Sequence, residues 1–227
     1  DRLFLHTCSA WYANTGHLRP YNLTEDYQHM LEFTTGGFVR ALAELKKYVQ
    51  GGEKLTFKSL SDRTFTNPLQ VLEGPSLIRS TYTCITHGDF NQHNLLVDTG
   101  GYTWLIDFQA TGHGHILRDV AQLDSEIRFF LLAPGEATLE ERLYMEELLC
   151  SPERFSQIEN LEHALPMENQ SLAKAFAAVI HLRTLARKLV AQNPSDDISE
   201  YYIALFYNAV NTLRFYKLSS LQREHAL

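Results

Sequence analysis

His87-Gly88-Asp89-Phe90-Asn91-Gln92-His93-Asn94, followed by Ile106-Asp107-Phe108, organises the reading of the whole chain. Asp89 and Asn94 stand five residues apart on one short loop, and a second acid, Asp107, follows a segment of strand and turn character. Leu95-Leu96-Val97 is a short apolar strand, Asp98-Thr99-Gly100-Gly101 is turn material, and Tyr102-Thr103-Trp104-Leu105-Ile106 is rich in β-formers. That pattern predicts a hairpin carrying Asp107 back towards Asn94. Upstream, Tyr82-Thr83-Cys84-Ile85-Thr86 is a third apolar, β-branched run leading into the loop.

These residue types at this spacing fit phosphoryl transfer, which depends on positioning and charge neutralisation more than on covalent help. A carboxylate beside the attacking hydroxyl orients or deprotonates it, and Asp89 is the candidate. Mg²⁺ is a hard cation that takes oxygen ligands, usually one or two protein groups together with phosphate oxygens. Asn94 offers a neutral amide oxygen and Asp107 a charged one. A lone Asp-x-x-x-x-Asn is most often solvated loop. Here it coincides with the His-Gly-Asp, the hairpin, the Ile-Asp-Phe and a later Gly112-x-Gly114 with Asp119-Val120-Ala121, and motifs count when their context agrees.

The stretch from Ile85 to Leu123 resembles the aminoglycoside phosphotransferase and choline kinase superfamily, small-molecule kinases related in fold to protein kinases. The resemblance implies that Asp89 is the catalytic Asp and that Asn94 and Asp107 are metal ligands. It further implies that His87 braces the loop and that Asp119 ties the loop from the start of the next helix. The expected fold is α+β and mostly helical, a kinase-like C-terminal lobe with a small β-hairpin carrying the catalytic and metal-binding loops. The expected activity is transfer of the ATP γ-phosphoryl group to a small-molecule hydroxyl, with Mg²⁺ as cofactor and ATP as co-substrate. Two rivals stand beside it: a kinase-like binding or regulatory module of a bacterial signalling or conflict system, and a protein kinase.

Gly88 stands where protein kinases carry Arg, Gln109 stands where they carry Gly, and no Ala-Pro-Glu follows. Small-molecule phosphotransfer is therefore favoured over protein phosphorylation. The family places a nucleotide-binding lobe ahead of the catalytic loop. The residues before His87 read as helices and loop, without a G-x-G-x-x-G or a strand bearing a phosphate-contacting Lys. Lys46 and Lys47 fall on a helical pattern, and Lys54 and Lys58 in a polar segment. The expectation is one domain over residues 1–227, the catalytic and substrate-binding lobe, whose N-terminal lobe belongs to a longer parent chain; the alternative is a degenerate phosphotransferase that lost its first lobe. The nucleotide-binding residues are unassigned.

Of 227 residues, 44% are hydrophobic and 21% charged, an ordinary globular composition with enough chain for a substantial core. A net charge of −7 argues against a nucleic-acid partner, which would call for a basic face. Three dispersed cysteines, Cys8, Cys84 and Cys150, fit reduced thiols and a cytoplasmic setting. No apolar run approaches the roughly 18 residues of a membrane span.

Along the chain, Leu3 to Ala13 reads as helical, with a break at Asn14-Thr15-Gly16. Thr24 reads as a helix cap with Glu25 and Asp26 in the first turn, where the helix dipole favours acids. Phe38, Leu42, Leu45 and Val49 form a helical stripe that Gly51-Gly52 ends and Gly36-Gly37 interrupts. Glu53 to Ser80 reads as a long irregular connection with one short strand at Leu69-Gln70-Val71-Leu72. Helices are expected from Asp119 to Leu132, from Leu139 to Cys150, and from a Ser151-Pro152 cap up to Pro166. Two longer amphipathic helices are expected around Leu172–Leu189 and Ile203–Leu213.

His87, His93, His113 and His115 invite a zinc reading. Zinc sites need three or four N/S ligands at defined spacing, and the Asp/Asn pair already claims this neighbourhood, so zinc is disfavoured. Arg183, Arg187 and Lys188 read as a wet helix face, and Tyr201, Tyr202 and Phe206 as packing residues.

Overall fold

The computed structural model describes residues 2–13, 15–33, 36–49, 54–57, 60–162, 164–165 and 168–227. The fold is α+β, with helices forming most of the described chain and four small antiparallel ribbons set among them. A π-helical turn over Leu3–Thr7 leads into α1 (Ser9–Ala13), then β1 (Arg19–Asn22), α2 (Leu23–Phe33) and α3 (Gly37–Tyr48). Next come β2 (Lys54–Phe57), β3 (Leu60–Thr66), α4 (Leu69–Leu72) and β4 (Ile78–Thr81). The expected hairpin is β6 (Leu95–Val97) and β7 (Thr103–Leu105); it lies between β5 (Thr83–Thr86) and β8 (Gly112–His115). Five further α-helices follow among the described residues: α5 (Arg118–Glu126), α6 (Leu139–Leu149), α7 (Gln170–Leu189), α8 (Ser199–Thr212) and α9 (Ser220–Ala226).

Helix α5 is the structural centre. It packs on α7 and α8, and Val120 and Ala121 sit wholly inside the main core with Val179, Tyr201 and Ala204. A second apolar cluster joins Leu45 and Val49, from α3 and its end, to Leu55 of β2, Phe129, Leu213 and Ala226 of α9. The β2–β3 ribbon is therefore packed through Leu55 against the helices.

The region before the His87–Asn94 loop differs from expectation. Besides β5, its described residues hold four strands: β1 pairs with β4 and β2 with β3, both antiparallel. Lys54 lies on a strand. Leu69–Leu72 is a helix, because the Asn67 side chain accepts from the Leu69 N–H at 2.9 Å and Pro68 has helical φ. Asn-Pro acts here as a cap followed by a residue pre-set for the first turn. The α2 cap also shifts. Asn22 Oδ1 accepts from the Glu25 N–H, while Thr24 Oγ1 accepts from the Leu77 N–H and so ties β4 to the helix.

Two further expectations change. After α6 the chain forms a 3₁₀ segment at Phe155–Leu161 whose start is held by Gln157, which accepts from the N–H groups of Glu153 and Arg154. Ser151 instead donates back to the Leu148 carbonyl. Arg183 is fully buried, not wet: it pairs with Asp124 at 2.9 Å and donates to the Leu149 carbonyl. Tyr201 is buried as expected, and its hydroxyl donates to the same Asp124. Asn14, Gly51-Gly52, Glu53, Lys58 and Pro166 lie outside the described residues. Among the described residues no helix is long and apolar enough to cross a membrane.

Candidate functional site

The His87–Asn94 loop hangs between two ribbons. Strand β5 delivers it, and β8 returns beside β5 in the register Thr83↔His115 to Thr86↔Gly112. Hairpin β6–β7, with Leu95 opposite Leu105, grows directly from the loop's last residue. The Ile106 N–H donates to the Asn94 carbonyl at 3.1 Å, extending the ladder by one step. Asp107 is therefore the residue immediately beyond the pair that holds Asn94. Asp89 and Asn94 therefore stand at the open end of this hairpin, and Asp107 follows the last step of its ladder.

Asp89 and Asn94 touch. The Asn94 amide donates to the Asp89 carboxylate Oδ2 at 3.0 Å and to its backbone carbonyl at 2.9 Å. Asn91 Nδ2 donates to Asp89 Oδ1 at 2.9 Å, and Gln122 Nε2 reaches the same oxygen at 3.4 Å. Both carboxylate oxygens are thus aimed by neutral N–H donors. Since Asn94 spends its nitrogen on Asp89, its side-chain oxygen is the atom left to meet a cation.

Asp107 is exposed, with φ 64° and ψ 66°. Only it and Asp196 have positive φ among the described non-glycine residues. Asp tolerates this region better than most residues, at a cost of roughly 1–3 kcal/mol. Such strain persists where the surroundings over-determine it, often at functional sites. The brace here is His87: its Nε2 donates to the Ile106 carbonyl at 3.0 Å, fixing the peptide that enters Asp107. The His87 ring is fully buried and packs edge-on against Phe90 and Phe108.

Asp119 anchors the loop from the first turn of α5. Its Oδ2 accepts from the His87 N–H at 2.7 Å and its Oδ1 from the Gly88 N–H at 3.0 Å. Tyr12 of α1 donates to the same carboxylate at 2.7 Å. Burial, and then the Asp119 charge, push the Tyr12 hydroxyl well above its usual pKa. Gly88 has φ 79°, and a Cβ there would sit 2.3 Å from the Ala110 carbonyl oxygen. No other residue type fits that crossing.

The sequence reading missed the contribution of the rest of α5. Gln122 accepts from the Phe90 N–H at 2.8 Å, and Asp119, Gln122 and Glu126 follow one another at helical spacing along the loop-facing side. Polar residues alternating with the Val120, Leu123 and Ile127 stripe were the available signal. Beyond Gln122 opens a cavity of about 390 Å³, edged by Asp89 and lined by Ser125, Glu126, Asn211, Phe215 and Tyr216 among others. Burial raises the Glu126 carboxyl to about 7, with the Asp89 charge adding to the rise and the Gln92 N–H opposing it.

The clustered histidines separate. His87 is committed to Ile106, and buried His115 meets the Tyr27 hydroxyl at 2.9 Å and Glu200 at 3.4 Å. His93 and His113 are exposed. The outer side of hairpin β6–β7 presents Leu96 opposite Trp104, with Tyr102, Ile106 and Phe108, all exposed apolar side chains beside Asp107.

The sequence matches the family described as ternary complex associated domain 9 over residues 3–214, and the chain belongs to that family. No curated protein and no solved structure matches the chain.

Proposed function

We propose that this member of the ternary complex associated domain 9 family is the catalytic, acceptor-binding lobe of an ATP- and Mg²⁺-dependent small-molecule phosphotransferase, related to the aminoglycoside phosphotransferase and choline kinase superfamily and acting in the cytoplasm. The observation that carries the reading is the joint fixing of Asp89, Asn94 and Asp107 at one end of hairpin β6–β7. Asn94 bonds Asp89 directly, and Asn94 and His87 hold the two sides of the Ile106 peptide that leads into Asp107.

The donor set fits a hard divalent cation: one amide oxygen and one exposed carboxylate leave most positions for phosphate oxygens and water. Bound there, Mg²⁺ would neutralise charge on the nucleotide phosphates. The protein's own contribution is positional. Asp89 accepts the proton of the acceptor hydroxyl, with its carboxylate aimed by Asn91 and Asn94. Asp119, His87 and Gly88 keep the loop backbone fixed, so that little reorganisation accompanies transfer. The exposed apolar strip at Leu96, Trp104, Ile106 and Phe108 suits a nucleobase and the second lobe that the superfamily resemblance implies.

The family's description, associated with a ternary complex, favours a second reading: a kinase-like binding or regulatory module without turnover. One experiment separates the two. The full-length protein is incubated with Mg²⁺ and γ-labelled ATP against amino sugars, amino alcohols, sugars and nucleosides, with a protein substrate as a further arm. Transfer to a small molecule that vanishes in Asp89→Ala, with folding unchanged, supports the enzyme. Asp89→Ala activity near wild type removes Asp89 from its role. Nucleotide binding without transfer to any acceptor supports the module, and labelling of protein alone supports a protein kinase.

A further inference from the structure

The cavity beside Asp89 contains polar atoms that the protein itself does not satisfy. Ser125 is buried, and its Oγ has no hydrogen-bond partner among the described residues; the same holds for the buried Oδ1 of Asn211. Both residues line the cavity, Ser125 from α5 and Asn211 from α8. A buried polar atom left without a partner is costly, and two such atoms on residues that line one hollow mark a place where a ligand supplies the missing bonds.

The lining also states what kind of ligand. Asp89 and Glu126 are countered by Arg214 and Lys217, so the cavity has no strong excess of either sign to reward a charged molecule. Both basic groups lie over aromatic rings, Arg214 over Phe215 at 4.7 Å and Lys217 over Tyr216 at 5.8 Å. The remaining polar surface consists mainly of amides and hydroxyls. Asn211 Oδ1 can only accept, whereas Ser125 Oγ can donate or accept. An alcohol hydroxyl can serve both, while an ammonium can only donate. Phe130, Phe215 and Tyr216 supply flat apolar faces for ring C–H groups. The volume, about 390 Å³, lies within the range of small-molecule sites.

We infer that this cavity binds an uncharged, polyhydroxylated ring of the sugar or cyclitol class, gripped by Ser125 Oγ, Asn211 Oδ1 and the Glu126 carboxyl group. Calling the ligand a phosphoryl acceptor rests on the phosphotransferase reading above. Its binding chemistry rests on the lining alone.

The test is ligand-detected NMR on the full-length protein without nucleotide. It compares glucose, galactose, ribose and myo-inositol with the cationic counterparts glucosamine and ethanolamine. The expected result is saturable binding of at least one neutral compound, with glucosamine weaker than glucose. Ser125→Ala and Asn211→Ala should each weaken binding about tenfold, the loss of one hydrogen bond to the ligand. Asp107→Asn should leave sugar binding unchanged even where it abolishes Mg²⁺–ATP binding, so failure of the nucleotide site is distinguishable from failure of this one. No binding by the neutral panel, glucosamine binding as tightly as glucose, or full affinity in both cavity variants would overturn the assignment.

Discussion

Asn94 donates its side-chain amide to Asp89 twice, to the backbone carbonyl at 2.9 Å and to the carboxylate at 3.0 Å. That pairing explains why the two residues are five apart: the loop closes on itself through one side chain, whose nitrogen rather than its oxygen makes the contact. If the proposed phosphotransferase function holds, Asn94→Ala should lower kcat for phosphoryl transfer by at least about 100-fold, because it would release the proposed proton acceptor and delete a proposed metal ligand together. Asn94→Asp restores an oxygen but not the N–H donor. Its Mg²⁺ requirement should stay nearer wild type than that of the Ala variant while kcat remains low. Magnesium titrations of both variants check the split, and identical behaviour of the two would remove the dual role.

Gly88 crosses Ala110 so closely that a side chain has no room: a methyl carbon added there would lie 2.3 Å from a backbone oxygen, at φ 79°. Gly88→Ala should therefore destabilise the protein by about 2 kcal/mol or more, with both clash and left-handed backbone contributing. Gly112 is the control, since nothing lies within 4 Å of its added methyl. Urea unfolding of the two variants should separate them clearly; equal midpoints would mean that the loop yields without strain.

What the sequence made legible was local. The Asp89–Asn94 loop, the β6–β7 hairpin and the long helices α7 and α8 follow from turn residues and periodicity close together in the chain. Pairing across distance was hidden. Gly112-His113-Gly114-His115 has no strand-like alternation, yet it becomes β8 because β5 offers it an edge. Leu69–Leu72 looks like a strand by composition and is a helix because Asn67 caps it. Arg183 carries a charge that composition assigns to water. Its partner Asp124 lies on another helix, so only the folded chain reveals that the charge is satisfied inside. The cavity residues Ser125 and Asn211 escaped notice for the same reason, since they are single polar positions on helices read for their apolar stripes.

Arg183 supplies a stability prediction. It joins a buried group in which Asp124 holds Arg128 as well as Arg183, and Arg128 also reaches Glu146 at 2.6 Å. Replacing one member leaves buried charge under-compensated, so Arg183→Met should cost about 3–5 kcal/mol. Arg187, one turn on, pairs with Glu159 and Asp196 only at 3.5 and 3.8 Å and is well exposed. Arg187→Met should change stability by less than about 1 kcal/mol. Denaturant unfolding of both variants decides the matter, and a mild Arg183→Met would show that the helices repack around the missing charge.

Glu126 gives the fold a pH dependence opposite in sign to that of an ion-paired carboxylate. Burial, followed by the nearby Asp89 charge, lifts its pKa to about 7 from an ordinary 4.5. Between those values the folded protein holds a proton that the unfolded chain has released. The contribution is fully present below about pH 4.5 and is lost as pH rises through about 7, a swing on the order of 3 kcal/mol. Glu146 works the other way: Arg128 and His225 overcome its burial and hold its pKa near 2, so its contribution is present above about 4.5 and fades as pH falls. The two are separable by difference. Glu126→Gln keeps the shape but cannot ionise, so its unfolding free energy should gain on wild type steadily from pH 4.5 to 7.5, then run parallel. A difference between the two proteins that does not change with pH would mean that Glu126 is solvated in the folded state and that the cavity floor is wetter than its burial implies.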